Sequence, residues 1–158
     1  DVDFLIIDLP PGTGDVQLTL CQKIPLSGAV IVTTPQDISL IDARKGLKMF
    51  EKVEVPVLGV IENMSTFICP KCETTESIFG EGGGEQLATE NDVKLLGELP
   101  LQKSIREEMD KGTPTVSENP ESPVSMVFRE IARKMAATLS MRKKDYSGAF
   151  PKIVIQND

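Results

Sequence analysis

The chain has 158 residues, of which 40% are hydrophobic, and a formal net charge of −7. This length and composition fit one globular domain with a buried core. The negative charge argues against nucleic acid as a partner and against an anionic membrane surface. The absence of histidine excludes a histidine base and a histidine zinc ligand. No apolar run could span a bilayer and no signal peptide is evident, so we expect a soluble, cytoplasmic protein.

Short apolar runs alternate along the chain with helical patterns. Strands are predicted at 4–7, 29–32, 57–61 and 93–96, and helices at 15–24, 37–52, 84–91, 104–111 and 122–140. Most of the apolar runs are continuous, which is typical of strands that are covered on both faces. The alternation of strand and helix therefore predicts an α/β fold with a mostly parallel sheet flanked by helices.

The helix predicted at 37–52 is apolar on two sides. One stripe consists of Leu40, Ala43, Leu47 and Phe50, and the opposite side carries Ile38, Ile41 and Met49. The second side predicts cover by another element of the chain or by a partner subunit. Near the end of the sequence, the run 153–155 (Ile-Val-Ile) predicts either an edge strand or a frayed tail.

An acidic and glycine-rich motif, DLPPGTGD, follows the first predicted strand at residues 8–15. Ligands of open α/β sheets bind beyond the carboxyl ends of the strands, so Asp8 is placed to meet a cation or a phosphate, as in a Walker B motif. Gly12 and Gly14 would let the backbone approach phosphate oxygens. The alternative is a tight turn in which Asp15 caps the next helix.

Two of the three cysteines, Cys69 and Cys72, form a Cys-x-x-Cys pair, while Cys21 falls in a helical pattern and is predicted to be a small core residue. A redox pair is the weakest interpretation because such pairs begin a helix, and this pair follows a strand. A four-thiolate zinc site or an iron-sulfur cluster would each need two more cysteines, which a second copy of the chain would supply across a two-fold axis. The spacing alone does not choose between zinc and a cluster.

Five segments together resemble the Mrp or ApbC type of P-loop ATPases, which carry iron-sulfur clusters and belong to the MinD and ParA class. They are, in order, FLIIDLPPGTGDVQLTL, VIVTTPQDISLIDARKG, GVIENMSTFICPKC, IFGEGGGEQLA and LLGELPL. The likeness implies a MinD-like P-loop NTPase fold that is incomplete in its N-terminal half. The resulting division is a partial NTPase domain at 1–145, with a cysteine loop at 64–81, and a C-terminal tail at 146–158.

The resemblance implies an ATP-dependent carrier whose homodimer binds a [4Fe-4S] cluster and transfers it to apo iron-sulfur proteins. By motif match, Cys69 and Cys72 would be the cluster ligands, and this match favours a cluster over zinc. The alternative function is a MinD-like or ParA-like nucleotide switch that holds a structural zinc at its dimer contact.

The resemblance also implies a site for ATP and Mg²⁺. Asp8 would be the catalytic Walker B carboxylate that holds the magnesium, and Gly12 would lie in the catalytic switch loop. Asn63 would read the edge of the adenine, and Pro100 would lie near the base. From the residues alone, Asn63 is equally well a turn former and Pro100 a strand stop.

The Walker A loop of that family is absent from this sequence. No Gly-x-x-x-x-Gly-Lys-[Ser/Thr] motif occurs, and the run Gly82-Gly83-Gly84 is followed by Glu85 rather than lysine. Backbone amides and lysines supply most of the binding to phosphates. We therefore expect the chain alone to hydrolyse ATP weakly or not at all, and to expose a strand edge where the P-loop strand would lie.

Overall fold

The computed structural model describes residues 2–10, 12 and 14–142. The strands are β1 (Ala29–Thr33), β2 (Val57–Ile68), β3 (Thr75–Glu76) and β4 (Leu95–Leu101). The helices are α1 (Asp15–Lys23), α2 (Asp37–Lys52), α3 (Gly83–Glu90), α4 (Lys103–Asp110), α5 (Thr115–Glu118) and α6 (Pro123–Ser140). The predicted division at residue 145 and the predicted run 153–155 lie outside the described residues.

β2 is the centre of the sheet. It pairs in parallel with β1 on one edge and with β4 on the other, and its far end pairs antiparallel with β3. The three parallel strands thus begin at one edge of the sheet and end together at the other. This arrangement confirms the predicted α/β fold with a mostly parallel sheet.

Helices cover both faces of this sheet. Successive residues of a strand point to opposite faces, and Val60 and Ile61 in β2 accordingly belong to two different core clusters. The cluster around Val60 includes Leu40 and Leu87 from α2 and α3, whereas the cluster around Ile61 includes Ile131 from α6. None of the described helices is both long and apolar enough to cross a bilayer.

The strand predicted at 4–7 does not form. Phe4, Leu5 and Ile6 are 59%, 81% and 80% exposed, and β1 has no second strand beside it among the described residues. A strand needs a hydrogen-bonded neighbour, and none of the described strands provides one for this segment. Among the described strands β1 has a free edge, and the expectation that a P-loop strand would lie at an exposed edge stays a prediction.

Four further differences concern element boundaries and one helix face. β2 continues to Ile68, beyond the predicted end at 61, and β4 begins two residues later than predicted. The short helix α5 lies between the predicted helices 104–111 and 122–140, where no element was predicted. In α2 the two predicted sides differ, because Met49 is buried while Ile38 and Ile41 are exposed. Met49 therefore belongs to the core and not to an outer apolar side.

Candidate functional site

Asn63 and Pro100 lie on paired strands at the carboxyl edge of the sheet. Asn63 of β2 is paired with Leu99 of β4, and Pro100 is the next residue of β4. Both residues are half-buried. The structure therefore brings together the two residues that the sequence resemblance assigned to an adenine, at the edge where open α/β sheets bind ligands.

A bulge in β2 follows Asn63 directly. The Asn63 side-chain oxygen Oδ1 accepts a hydrogen bond from the Met64 N–H at 3.0 Å, and Met64 has a left-handed φ of 57°. From Asn63 to Phe67, β2 advances by four residues while its partner β4 advances by two, from Leu99 to Leu101. Such a bulge bends the strand and increases its twist. Asn63 thus acts as a turn former here, whatever else it contacts.

Ser65 holds the bulged part of β2 against β4. Its side chain is buried, and its hydroxyl donates a hydrogen bond to the Leu99 carbonyl at 3.2 Å. This bond links the two strands within the stretch where their pairing register shifts. The position of Asn63 relative to Pro100 is therefore fixed on both sides of the bulge.

The cysteine pair lies at the tip of a β-hairpin. Phe67 and Ile68 at the end of β2 pair with β3, and the turn between the strands is closed by two backbone hydrogen bonds. The Cys69 N–H donates to the Thr74 carbonyl at 3.0 Å, and the Glu73 N–H donates to the Cys69 carbonyl at 2.9 Å. The predicted loop at 64–81 is therefore wrong for 64–68 and for 75–76, which are strand residues. The turn at 69–74, which carries the thiols, and residues 77–81 are loop.

The three cysteines are free thiols in different surroundings. Cys72 is exposed and Cys69 is half-exposed, whereas Cys21 is a buried core residue as predicted. The Cys72 thiol donates to the Thr74 hydroxyl at 3.3 Å, and when the sulfur is ionised the hydroxyl can donate in return. The hydrogen bond to Thr74 lowers the pKa of Cys72, while burial raises the pKa of Cys21.

The hairpin thiols can bind a soft metal centre, because the thiolate is the metal-binding form of cysteine. A lower pKa of Cys72 increases its thiolate fraction near neutral pH. Within the part of the chain that the structure describes, no three Cys, Asp or Glu side chains are grouped in a way that could hold a metal ion. The pair could supply two of the four ligands of a tetrahedral thiolate site.

Glu62 is a buried carboxylate that the sequence analysis did not single out. It is 1% exposed, and its Oε2 accepts a hydrogen bond from the Gly84 N–H in the first turn of α3. Burial raises the pKa of Glu62, the Gly84 N–H opposes this shift, and the carboxylates of Glu98 and Glu85 raise the pKa further. The signal in the sequence was a single acidic residue ending the apolar run VLGVIE.

The run Gly82-Gly83-Gly84 has a packing role at this contact. A side chain at Gly84 would place its Cβ 2.8 Å from the Glu62 Cβ, and one at Gly83 would place it 2.8 Å from Leu40 Cδ1. Both distances are shorter than carbon atoms tolerate. Gly83 and Gly84 therefore let α3 begin in close contact with β2 and α2.

Asp8 and Gly12 lie apart from any strand. Asp8 is exposed in the segment 2–10, and Gly12 is exposed with a left-handed φ of 99°. The segment is attached at its end, where the Gln17 side chain donates to the Pro10 carbonyl at 3.0 Å and Leu9 packs on the core. Because residues 4–7 form no strand, Asp8 is not at the end of a sheet strand beside Asn63, contrary to the expectation from its motif.

The described residues fit a nucleotide only in part. The pair Asn63 and Pro100 offers a polar and an apolar group at the ligand-binding edge of the sheet, which suits a base. For the phosphates and the magnesium ion, the described residues offer no Walker A lysine, and Asp8 is exposed away from the sheet edge. The phosphate half of an ATP site is thus not assembled by these residues.

Comparison with known proteins identifies relatives for this chain. The ParA family model for the NUBPL iron-transfer P-loop NTPase matches residues 1–136. An iron-sulfur cluster carrier protein of Escherichia coli K12 is 60% identical over 139 residues, which are 88% of this chain and 38% of that protein. The mouse iron-sulfur cluster transfer protein NUBPL is 52% identical over 138 residues, which are 87% of this chain and 43% of that protein. The chain thus spans less than half the length of these two relatives.

Solved structures agree on the fold. A nucleotide-binding protein from Archaeoglobus fulgidus, in complex with ADP, superposes with a TM-score of 0.66 at 37% identity over 79% of this chain and 50% of that chain. The cell division ATPase MinD of Pyrococcus furiosus superposes with a TM-score of 0.55 at 24% identity over 70% of this chain and 43% of that chain, which supports the fold alone. From the family match and the identities together, the chain belongs to the NUBPL iron-transfer family of P-loop NTPases.

Proposed function

We propose that this chain is a carrier of iron-sulfur clusters that holds a [4Fe-4S] cluster between the cysteine hairpins of two copies and delivers it to apo proteins. The observation that carries the proposal is the hairpin itself, which presents Cys69 and Cys72 as free thiols at an exposed tip. The cluster is the cargo of this activity and not a fixed part of the protein.

The arrangement of the thiols supports both dimerisation and delivery. One hairpin supplies two thiolates, so two copies related by a two-fold axis complete four ligands. Cys72 is exposed to solvent, and the turn that carries it is held by backbone hydrogen bonds of 2.9 and 3.0 Å. An exposed cluster on a rigid tip can be reached by an acceptor's thiols without unfolding the carrier.

We extend the proposal to nucleotide in the complete protein. Asn63 and Pro100 would contact the adenine, Asp8 would hold the Mg²⁺ of ATP, and Gly12 would lie in the loop that senses the phosphates. The support is the position of Asn63 on β2, six residues before Cys69. One strand would thus join the nucleotide site to the hairpin. ATP hydrolysis would require the Walker A loop that this sequence lacks.

The partners follow from the same chemistry. They would be a second copy of the chain and apo iron-sulfur proteins, with no role for nucleic acid or a membrane, and the activity would take place in the cytoplasm. The net charge of −7 supports the exclusion of nucleic acid.

Anaerobic native mass spectrometry after incubation with iron and sulfide tests the proposal, because it gives the metal content and the subunit number together. We expect a dimer with one four-iron cluster, and we expect Cys69→Ser and Cys72→Ser each to lose the cluster. Cys21→Ala is the matched control, since it removes a thiol from the buried core and should leave the cluster in place.

Three outcomes would contradict the proposal or part of it. A monomer without iron would show that no cluster bridges two copies. A dimer that holds only zinc would favour the alternative, a nucleotide switch with a structural metal. A cluster that stays on the protein in the presence of an apo acceptor would contradict delivery while leaving cluster binding intact.

A further inference from the structure

Glu62 of β2 and Gly84 of α3 flank the segment that carries the cysteine hairpin. We define residues 63–83 as the cysteine excursion, which contains the bulge, the hairpin with Cys69 and Cys72, and the loop that leads into α3. The two ends of this excursion are joined by one side-chain contact, because Glu62 Oε2 accepts a hydrogen bond from the Gly84 N–H across 22 positions of sequence.

The contact is buried and closely packed. Glu62 is 1% exposed, and a Cβ on Gly84 would lie 3.0 Å from Glu62 Oε2. Any side chain at Gly84 would therefore push the two ends of the excursion apart. The amide belongs to the first turn of α3, where unpaired N–H groups favour a negative charge.

An acid at this buried position is costly. A buried carboxylate loses hydration, and Glu98, paired with Glu62 on β4, and Glu85 on α3 add like charge. A neutral side chain of the same size would avoid these costs. What the carboxylate supplies is a strong acceptor for an amide at a helix start, at the base of the excursion.

We infer that Glu62 is a positioning residue for the cluster site, since its carboxylate fastens the base of the cysteine excursion and so fixes the direction in which the hairpin presents Cys69 and Cys72. The inference rests on the proposed function. Glu62 itself touches neither the thiols nor the cluster, so it acts through the ends of the excursion.

The test compares Glu62→Ala with Glu62→Gln in the purified 158-residue chain. The first readout is amide hydrogen exchange of residues 64–82 without any metal, and the second is the rate at which an assembled cluster is lost. We expect Glu62→Ala to speed both the hydrogen exchange and the cluster loss by about tenfold, the effect of losing one buried hydrogen bond. Glu62→Gln should return both rates most of the way to those of the unmodified chain, because its amide oxygen still accepts the hydrogen bond.

Ile131→Ala is the matched control, because Ile131 is buried in the core cluster under α6 and not in the excursion. The two variants are compared where they lose the same thermal stability. If Glu62→Ala then speeds the amide hydrogen exchange of residues 64–82 no more than Ile131→Ala does, the inference is wrong. If Glu62→Ala does not fold, Gly84→Ala decides in its place, since its Cβ would disrupt the same contact from the other side. A wild-type chain that holds no cluster would refute the proposed function, while the exchange measurement would still decide the role of Glu62.

Discussion

Two apolar stretches of similar composition, 4–7 and 57–61, differ in structure, since only the second forms a strand. The first, Phe-Leu-Ile-Ile, is exposed and forms no strand, whereas the second, Val-Leu-Gly-Val-Ile, is the buried start of the central strand β2. Both match the pattern of a strand covered on two faces. The second has β1 and β4 on its two edges, while the first has no described strand beside it. The contrast teaches that pairing partners, more than the residues of a stretch, decide whether it becomes a strand.

The largest expected effect tests this contrast with one substitution made in both stretches. Leu58→Ala in β2 removes a side chain that is 6% exposed, and it should lower the free energy of unfolding by about 2–5 kcal/mol. Leu5→Ala removes one that is 81% exposed and should change this free energy by no more than about 0.5 kcal/mol. Urea unfolding of both variants measures the difference. Equal losses would mean that the segment 2–10 is packed in solution.

A smaller effect is expected farther along β2, beyond the bulge. Ser65→Ala leaves the buried Leu99 carbonyl without its donor and should cost about 1–3 kcal/mol of stability. The neighbouring Thr66→Ala is the control and should stay within about 0.5 kcal/mol. Urea unfolding again provides the measurement. If both substitutions cost the same, the bulged part of β2 is not held by Ser65.

The smallest effect on stability is expected at the tip of the hairpin. There a substitution should instead change the reactivity of the Cys72 thiol. Thr74→Val removes the hydroxyl that lowers the pKa of Cys72, so the pKa should rise and the thiolate fraction at neutral pH should fall. The rate of iodoacetamide alkylation at Cys72, followed against pH by mass spectrometry, should therefore have its midpoint at higher pH. Thr75→Val, at the adjacent position in β3, should leave the midpoint unchanged. A midpoint unmoved by Thr74→Val would assign the lowered pKa to the backbone of the turn.

Much of the fold could be predicted because its signals are local. The pattern from Asp37 to Lys52 gives the bounds of α2, and Ser122 followed by Pro123 marks the start of α6, where Ser122 Oγ accepts from the Ser125 N–H at 3.2 Å. These signals depend on residues a few positions apart. The Cys-x-x-Cys pair was recognised for the same reason.

The remaining features depend on contacts between distant parts of the sequence. The strand character of 64–68 was hidden because this part of β2 pairs with β4 only beyond a bulge, in which Met64 has a left-handed φ. The burial of Glu62 follows from the approach of α3, whose first residues are 22 positions away. The prediction for 4–7 was wrong because it assumed a neighbouring strand. Nothing in a short window of sequence reports such neighbours.

The bulge in β2 has a consequence for how the length of this segment can vary. β2 uses two more residues than β4 between the pairs Asn63 with Leu99 and Phe67 with Leu101. Because side chains alternate with a period of two, an even surplus leaves the odd and even positions on their original faces. A chain shortened by one residue between Glu62 and Cys69 would present the first thiol to the opposite side of the hairpin. If two copies share a cluster as proposed, insertions and deletions here would have to come in pairs, so that the constraint on this segment would be an even number of residues and not a fixed length.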